Sequence, residues 1–230
     1  MKENNILVVL PVRSGSKGIR KKNIYKINNK ELLNYAVHEI NNLKNNLTFA
    51  ISSNSDKILK SINVIKKNHI KIKRPASLAK DNTTLDPVIF HAFNYAEKKL
   101  NKFFSKIVTI QATSPLMTYV DIQKAIKKFD IKKYDSLISV IEDTHLRWRL
   151  KKNRYYPLFK KRVNRQKLEK DFRETGSFQI CSRKQILTGK RLGKKILFYE
   201  IKPKIRGLDI DTLHDMYIAE LVLRNRNKFF

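Results

Sequence analysis

The sequence predicts an α/β protein built on a mostly parallel central sheet flanked by helices, and three observations carry that expectation. Short apolar runs alternate along the chain with stretches of helical period, the pattern of strands and covering helices in a largely parallel sheet. The first run, residues 6–10, passes through Pro11 into a basic, glycine-containing turn, Arg13-Ser14-Gly15-Ser16-Lys17-Gly18. At 230 residues the chain is long enough for one substantial core, and no shift in composition marks a linker, so one domain over residues 1–230 is expected.

Strands are expected at residues 6–10, 48–52, 69–72, 107–111, 136–140, 177–180, 196–200 and 208–210, each a short run carrying branched or aromatic apolar residues. After the first turn, Ile24 and then Leu32, Leu33, Ala36, Val37 and Ile40 resume at helical period. Asp86-Pro87 reads as an N-cap followed by proline in the first turn, opening a helix through Val88, Ala92, Tyr95 and Ala96. Thr118-x-x-Asp121 and Thr212-x-x-Asp215 resemble capping boxes, with Ile122, Ala125, Ile126 and Phe129, and then Met216, Ala219 and Leu223, on the inner faces. Residues 143–173 follow neither period, yet they hold the single tryptophan, Trp148, and the cluster Tyr155-Tyr156-Pro157-Leu158-Phe159 among many Lys and Arg. An excursion that lines a site or a partner surface is expected there.

Against 20 Asp and Glu stand 50 Lys and Arg, a formal charge of +30, which alone would suggest a basic nucleic-acid-binding module. The basic residues are scattered rather than clustered, no zinc-finger or RNP-like aromatic signature accompanies them, and Lys, Asn and Ile are enriched together. That combination reads as drift toward residues with A/T-rich codons. The single cysteine, Cys181, excludes an intramolecular disulfide and a cysteine-based metal cluster; its flanks read as a buried strand, where a thiol acts as a small hydrophobe. With no secretory signal and no apolar stretch of membrane-spanning length, a cytoplasmic protein is expected.

The chemistry concentrates at two places. In the first turn Gly15 and Gly18 let backbone N–H groups approach an anion, while Arg13, Lys17, Lys21 and Lys22 supply positive charge. Placed after a strand, such a turn suits phosphates in an open α/β sheet, although it is neither a Walker loop nor a G-x-G-x-x-G fingerprint. Late in the chain, Asp209-Ile210-Asp211 ends an expected strand just before the Thr212 helix, so both carboxylates would lie on one face and repel. Two readings stand at this point: Mg²⁺ shared with a phosphate, or a helix-proximal acid beside a solvated neighbour. Taken together, a basic loop and a D-x-D pair, with no serine–histidine or cysteine nucleophile arrangement and five singly scattered histidines, point to nucleotidyl or phosphoryl transfer by positioning and charge stabilisation.

On these residues the chain resembles the acylneuraminate cytidylyltransferases, which activate sialic acids and related nonulosonates with CTP. Five motifs occur in order: P-x-R-x-G-S-K-G-I-x-x-K-N over residues 11–23, R-P-x-x-L-A-x-D over 74–81, Q-x-T-S-P-L over 111–116, R-Q-x-L…F-R-x-x-G over 165–176 and D-I-D-T over 209–212. The resemblance implies a Rossmann-like nucleotide-diphospho-sugar transferase fold. It implies CTP binding by Arg13, Ser14, Gly15, Ser16, Lys17, Lys22 and Asn23, with Arg74, Asp81 and Thr83 around the cytosine. Gln111, Thr113, Ser114, Arg165 and Arg173 would meet the sugar acid, the arginines facing its carboxylate. A further basic residue of the excursion corresponds to Arg147 or Arg149. Asp209 and Asp211 match ligands of Mg²⁺, and Lys22, Arg13, Lys17 and Asp211 are the implied catalytic residues.

The resemblance further implies a homodimer joined through the excursion, and an N-acylneuraminate as favoured substrate, with legionaminate, pseudaminate or another 2-keto sugar acid as alternatives. Three positions depart from the family pattern: Met117 stands for a usual arginine, Val12 for alanine, and Asn29 for glycine, the last a swap that left-handed φ tolerates. The sister enzymes for Kdo space their first loop differently, so Lys17 and Gly18 argue against that class.

Overall fold

The computed structural model describes residues 5–15, 18–44, 47–64 and 68–230. In chain order its strands are β1 (Ile6–Val12), β2 (Lys26–Ile27), β3 (Lys30–Glu31), β4 (Leu47–Ser53), β5 (His69–Lys73), β6 (Lys106–Ile110), β7 (Ser136–Glu142), β8 (Trp148–Lys151), β9 (Arg154–Pro157), β10 (Phe172–Ser182) and β11 (Ile196–Glu200). Its helices are α1 (Leu32–Asn42), α2 (Asp56–Ser61), α3 (Leu85–Leu100), α4 (Tyr119–Lys128), α5 (Arg183–Ile186), α6 (Leu213–Arg224) and α7 (Arg226–Phe229). Seven strands form one sheet in the order β11-β7-β10-β6-β1-β4-β5. Only β10 runs antiparallel to its neighbours, β6 and β7; the other pairings are parallel.

Burial on both faces explains why the parallel strands read as near-continuous apolar runs. Alternate residues of β1 serve opposite cores. Val8 and Leu10 pack with Ala36, Val37 and Ile40 of α1 and with Ile122 and Ala125 of α4. Leu7 and Val9 face Ile89, Ala92 and Phe93 of α3 together with Cys181. A third cluster gathers Ile19, Ile27, Leu32, Ile210, Met216 and Ala219. It ties the segment leaving β1 to α6 and the residues just before it.

The Thr118 and Thr212 side chains cap α4 and α6 by accepting from the backbone N–H of Asp121 and Asp215, and at α6 the Asp215 carboxylate returns the bond in a full capping box. Elsewhere the structure corrects the expectation. Residues 208–210 join no sheet; they run alongside the end of β6, held by the Ile210 N–H on the Thr113 carbonyl at 2.9 Å. The apolar residues there are spent on the third cluster, where Ile210 is fully buried. Helix α3 is preceded by Thr84 at the N-cap, and Asp86 sits inside the first turn, where Arg191 Nε donates to it at 2.7 Å. Ile24 belongs to no α-helix: a β2–β3 hairpin intervenes, turning at Asn28 and Asn29 with φ of 47° and 62°, as a two-residue hairpin of this kind requires.

The excursion also contains a hairpin, β8–β9, turning at Lys152 and Asn153 (φ 47° and 59°). All its strand residues are exposed, so no buried face wrote an alternating pattern into the sequence. Among the described residues, no helix is long and apolar enough to cross a membrane. Cys181 lies on β10, buried, and burial pushes its thiol up to about 12. Because the thiolate is the reactive form, native protein at pH 8 is expected to give no fast reaction with Ellman's reagent, and one thiol per chain after denaturation in guanidinium; prompt native labelling would contradict the burial.

Candidate active site

The strand order reverses at β1: the chain continues to β4 and β5 on one side, then crosses to β6 on the other. Ligand crevices in open α/β sheets form outside the carboxyl ends of the strands at such a point. A cleft of about 440 Å³ lies there. Arg13, Gly18, Lys22 and Asn23 line it from the turn after β1, Arg74, Asp81 and Thr83 from the segment after β5, and Gln111 and Thr113 from the end of β6. Asp209 and Asp211 complete the wall.

The first turn and the late acid pair therefore meet, and they touch directly. Lys22 Nζ donates to the Ile210 carbonyl at 2.6 Å and to Asp211 Oδ1 at 3.1 Å. A Cβ on Gly18 would lie 2.8 Å from the Asp211 carbonyl oxygen, so only glycine permits this approach of backbone to backbone. Asn23 Nδ2 donates to the Arg13 carbonyl at 2.8 Å, and Arg13 pairs with Asp81 at 2.9 Å, which joins the first turn to the 75–81 segment. Ser14 is held through Asn54, its N–H donating to Oδ1 at 3.1 Å and its hydroxyl accepting from Nδ2 at 3.0 Å. Among the described residues other than its chain neighbours, none has an atom within 4 Å of where a Gly15 Cβ would be. Ser16 and Lys17 lie outside the described residues.

Opposite unspent charges sit across the cleft. Arg74 is only 4% exposed, and its Nε has no hydrogen-bond partner among the described residues. Burial, and then the neighbouring Arg13, lower it to about 10. Asp209 Oδ1 is likewise buried without a partner. Burial raises the Asp209 carboxyl above the ordinary range and Asp211 adds to this, while the Thr113 side chain, Lys22 and Arg173 act in the opposite sense. His91 belongs to no motif, and no spacing in the sequence singles it out. Its buried Nδ1 has no partner among the described residues, and burial followed by the Arg74 charge lowers its pKa, which favours the neutral ring.

The β10–β7 register shifts between Glu174 and Gln179, an irregularity of the kind that re-aims residues beside active sites. Gly176, at φ +69°, lies in it; its carbonyl accepts from Gln111 Nε2 at 2.6 Å, and a Cβ there would lie 3.0 Å from Asp209 Oδ2. Of the expected sugar-acid residues, Gln111 and Thr113 line the cleft. Ser114 does not: it is buried, with its hydroxyl turned to the Thr175 carbonyl. Arg165 lies in an exposed turn of the excursion, outside the cleft wall, and Arg173 stands on β10 beside Asp143. Met117, at the usual arginine position, is buried in the main core.

Among the described residues no cluster of three or more His, Cys, Asp or Glu is suited to a metal ion. Asp209 and Asp211 supply two carboxylates, one with an orphaned buried oxygen, and that donor set fits a hard divalent cation whose remaining ligands come from phosphate and water.

A family model described as Cytidylyltransferase matches residues 7–225. The chain belongs to the cytidylyltransferase family. This cytidylyltransferase is 27% identical over 236 residues to post-translational flagellin modification protein B of Campylobacter coli, covering 97% of each chain. It is 34% identical over 112 residues to CMP-N,N'-diacetyllegionaminic acid synthase of Campylobacter jejuni, 48% of this chain and 46% of that protein. With N-acylneuraminate cytidylyltransferase of Oncorhynchus mykiss it shares 29% over 227 residues, 95% of this chain but 50% of the fish enzyme, so it spans about half that protein's length. The solved structure of CMP:2-keto-3-deoxy-manno-octonic acid synthetase complexed with CTP superposes with a TM-score of 0.66 over 96% of this chain and 99% of that one; at 10% identity the likeness concerns the fold.

Gly18→Ala is expected to push the first turn off Asp211. Turnover of CTP, read as pyrophosphate release, should fall by about tenfold or more, since small misplacements of reacting groups are costly, while circular dichroism and the melting temperature stay near wild type. Full activity would mean that the close approach is not needed.

Proposed function

We propose that this cytidylyltransferase activates a sialic acid or related nonulosonate with CTP, giving the CMP-sugar and pyrophosphate, with an N-acylneuraminate as the favoured substrate. The observation that carries the reading is the direct contact of Lys22 with Asp211 inside a switch-point cleft. It supports a single place for the triphosphate, between the cations of the first turn and the late acid pair. Relatives named for legionaminic and neuraminic acids support the substrate class. Legionaminate and pseudaminate remain within the proposal because stereochemistry and acyl groups are read by pocket shape.

In this mechanism the anomeric C2 hydroxyl of the sugar acid attacks the α-phosphorus of CTP in line. A new O–P bond forms, the bond to the β-phosphate oxygen breaks, pyrophosphate leaves with the electron pair, and the hydroxyl proton passes to water at the cleft mouth. Arg13 and Lys22, with Lys17, Ser16 and the turn amide of Gly15, would bind the phosphates and neutralise charge developing on them, the dominant catalytic term for such a transfer, while the Ser14 N–H is already given to Asn54. Asn23 fixes the Arg13 backbone. Arg74, already desolvated, would donate to the cytosine edge, with Asp81 and Thr83 shaping the base pocket. Gln111 and Thr113 would orient the sugar, and Arg173 would face its carboxylate. Mg²⁺ bound by Asp209 and Asp211 would supply further charge neutralisation on the phosphate oxygens. The exposed Trp148, Leu150, Tyr155 and Leu158 of the excursion hairpin support a homodimer joined there, and Arg165, outside its own cleft wall, would then serve the neighbouring site.

Incubation with CTP, Mg²⁺ and a panel of N-acetylneuraminate, legionaminate and pseudaminate is expected to yield a CMP-sugar of the corresponding mass; no turnover with any of them sinks the assignment. Asp211→Asn should lower kcat by about a hundredfold or more, in the range seen when transition-state charge stabilisation is removed, with the melting temperature retained. Light scattering should give twice the chain mass, and Trp148→Glu combined with Tyr155→Glu should return it to one; a monomeric wild type would refute the dimer.

A further inference from the structure

Beside the cleft, four basic side chains from three separate segments gather on one carboxylate. Lys204 Nζ donates to Asp143 Oδ1 at 2.7 Å, Arg147 donates to Oδ2 at 2.9 Å and to the Asp143 carbonyl at 2.6 Å, Arg173 Nε stands 3.6 Å from Oδ2, and His145 Nε2 stands 3.7 Å from Oδ1. The Asp143 side chain is 21% exposed, whereas its partners are about twice as open to solvent. Lys204, through its hydrogen bond first, and the two arginines hold the carboxyl below the usual carboxylate range, so it is charged at neutral pH.

The cluster sits where three functional segments begin. Asp143 follows β7 and opens the excursion, and its N–H donates to the Asp171 carbonyl at 2.8 Å, closing the excursion's base. Arg173 lies on β10 just before the irregularity that turns Gly176 toward Gln111 and Asp209, and its charge is felt at Asp209. Lys204 stands in the turn that leads to Asp209. Three permanent cations around a single anion leave net positive charge, and without that anion they repel one another.

We propose that Asp143 is a positioning residue for the sugar acid: by gathering Arg147, Arg173 and Lys204 it prebuilds the cationic lip that receives the substrate carboxylate next to the nucleotide cleft. This rests on the reading of the substrate as a sugar acid. Each half-exposed pair alone contributes little to stability, so the role of the cluster is geometric: it fixes cations before the substrate arrives and lowers the cost of ordering them on binding.

The test begins with wild-type protein turning over a sugar acid from the panel; failure at that step removes the functional reading, and it is distinct from a negative result with the Asp143 variants. In Asp143→Asn the KM for the sugar acid should rise about tenfold or more while the KM for CTP stays within about twofold, a split that marks lost binding of one substrate. The preference for the free acid over its methyl ester should shrink in parallel, a readout a purely structural clasp would not move. Asp143→Glu should restore most of both. Lys204→Gln, at the cluster's edge, should show the same split, and it keeps the test open if Asp143→Asn does not fold. An unchanged sugar-acid KM, an equal rise in both KM values, or an undiminished acid-over-ester preference in folded variants overturns the proposal.

Discussion

The cleft depends on contact between two segments near opposite ends of the chain, made by one lysine and one glycine. Lys22 bridges the Ile210 carbonyl and the Asp211 carboxylate, and Gly18 brings backbone against backbone at Asp211. Neither half would hold the other by charge alone, because Asp211 is largely exposed and an exposed pair is weak. The support is apolar: Ile19 and Ile27 from the first segment and Ile210, Met216 and Ala219 from the last share one buried cluster. The hydrophobic effect fixes the separation, and the polar contacts then fix the register. Both are needed for a cleft whose cations and carboxylates come from different parts of the chain.

Electrostatics inside the cleft follow from this frame. The overall excess of basic residues acts mainly as a solvated field, screened over about 8 Å at physiological salt. The informative charges are the few taken out of water: among the described residues, Arg74 has no partner at Nε and Asp209 none at Oδ1. Leaving such groups unpaired is costly in a buried setting, and their arrangement suits a ligand that carries donors and acceptors of its own. The same logic applies at Asp143, where one anion is shared among several cations.

Much of this was legible because it is written in short-range physics. Strands buried on two faces need apolar runs, so β1, β4, β6 and β7 could be read directly, and the Thr118 and Thr212 caps followed from spacing alone. The site loop and acid pair were legible as residue types, yet their meeting was not, since it depends on strand order and on the third cluster. What could not be read shares a cause. The two small hairpins turn at Asn28-Asn29 and Lys152-Asn153, and the outer one has no buried face to impose alternation. Residues 208–210 carry a strand's composition, but Ile210 uses it for a core contact. Ser114 stands inside a motif whose neighbours reach the cleft, and only the local backbone direction turns it inward. In the Asp143 cluster Arg147 is only four residues away, but Arg173 and Lys204 lie too far along the chain for any spacing rule.

The placement of Asp209 and Asp211 bears on how the molecule is made. While a ribosome is still threading the segment before α6, β1, β4, β5 and β6 have already been synthesised and can pair, yet the first turn has nothing to close against. A half-finished chain therefore presents the basic side of the cleft without its acidic counterpart. The cleft is closed late and in a single step, when α6 docks onto the segment that left β1.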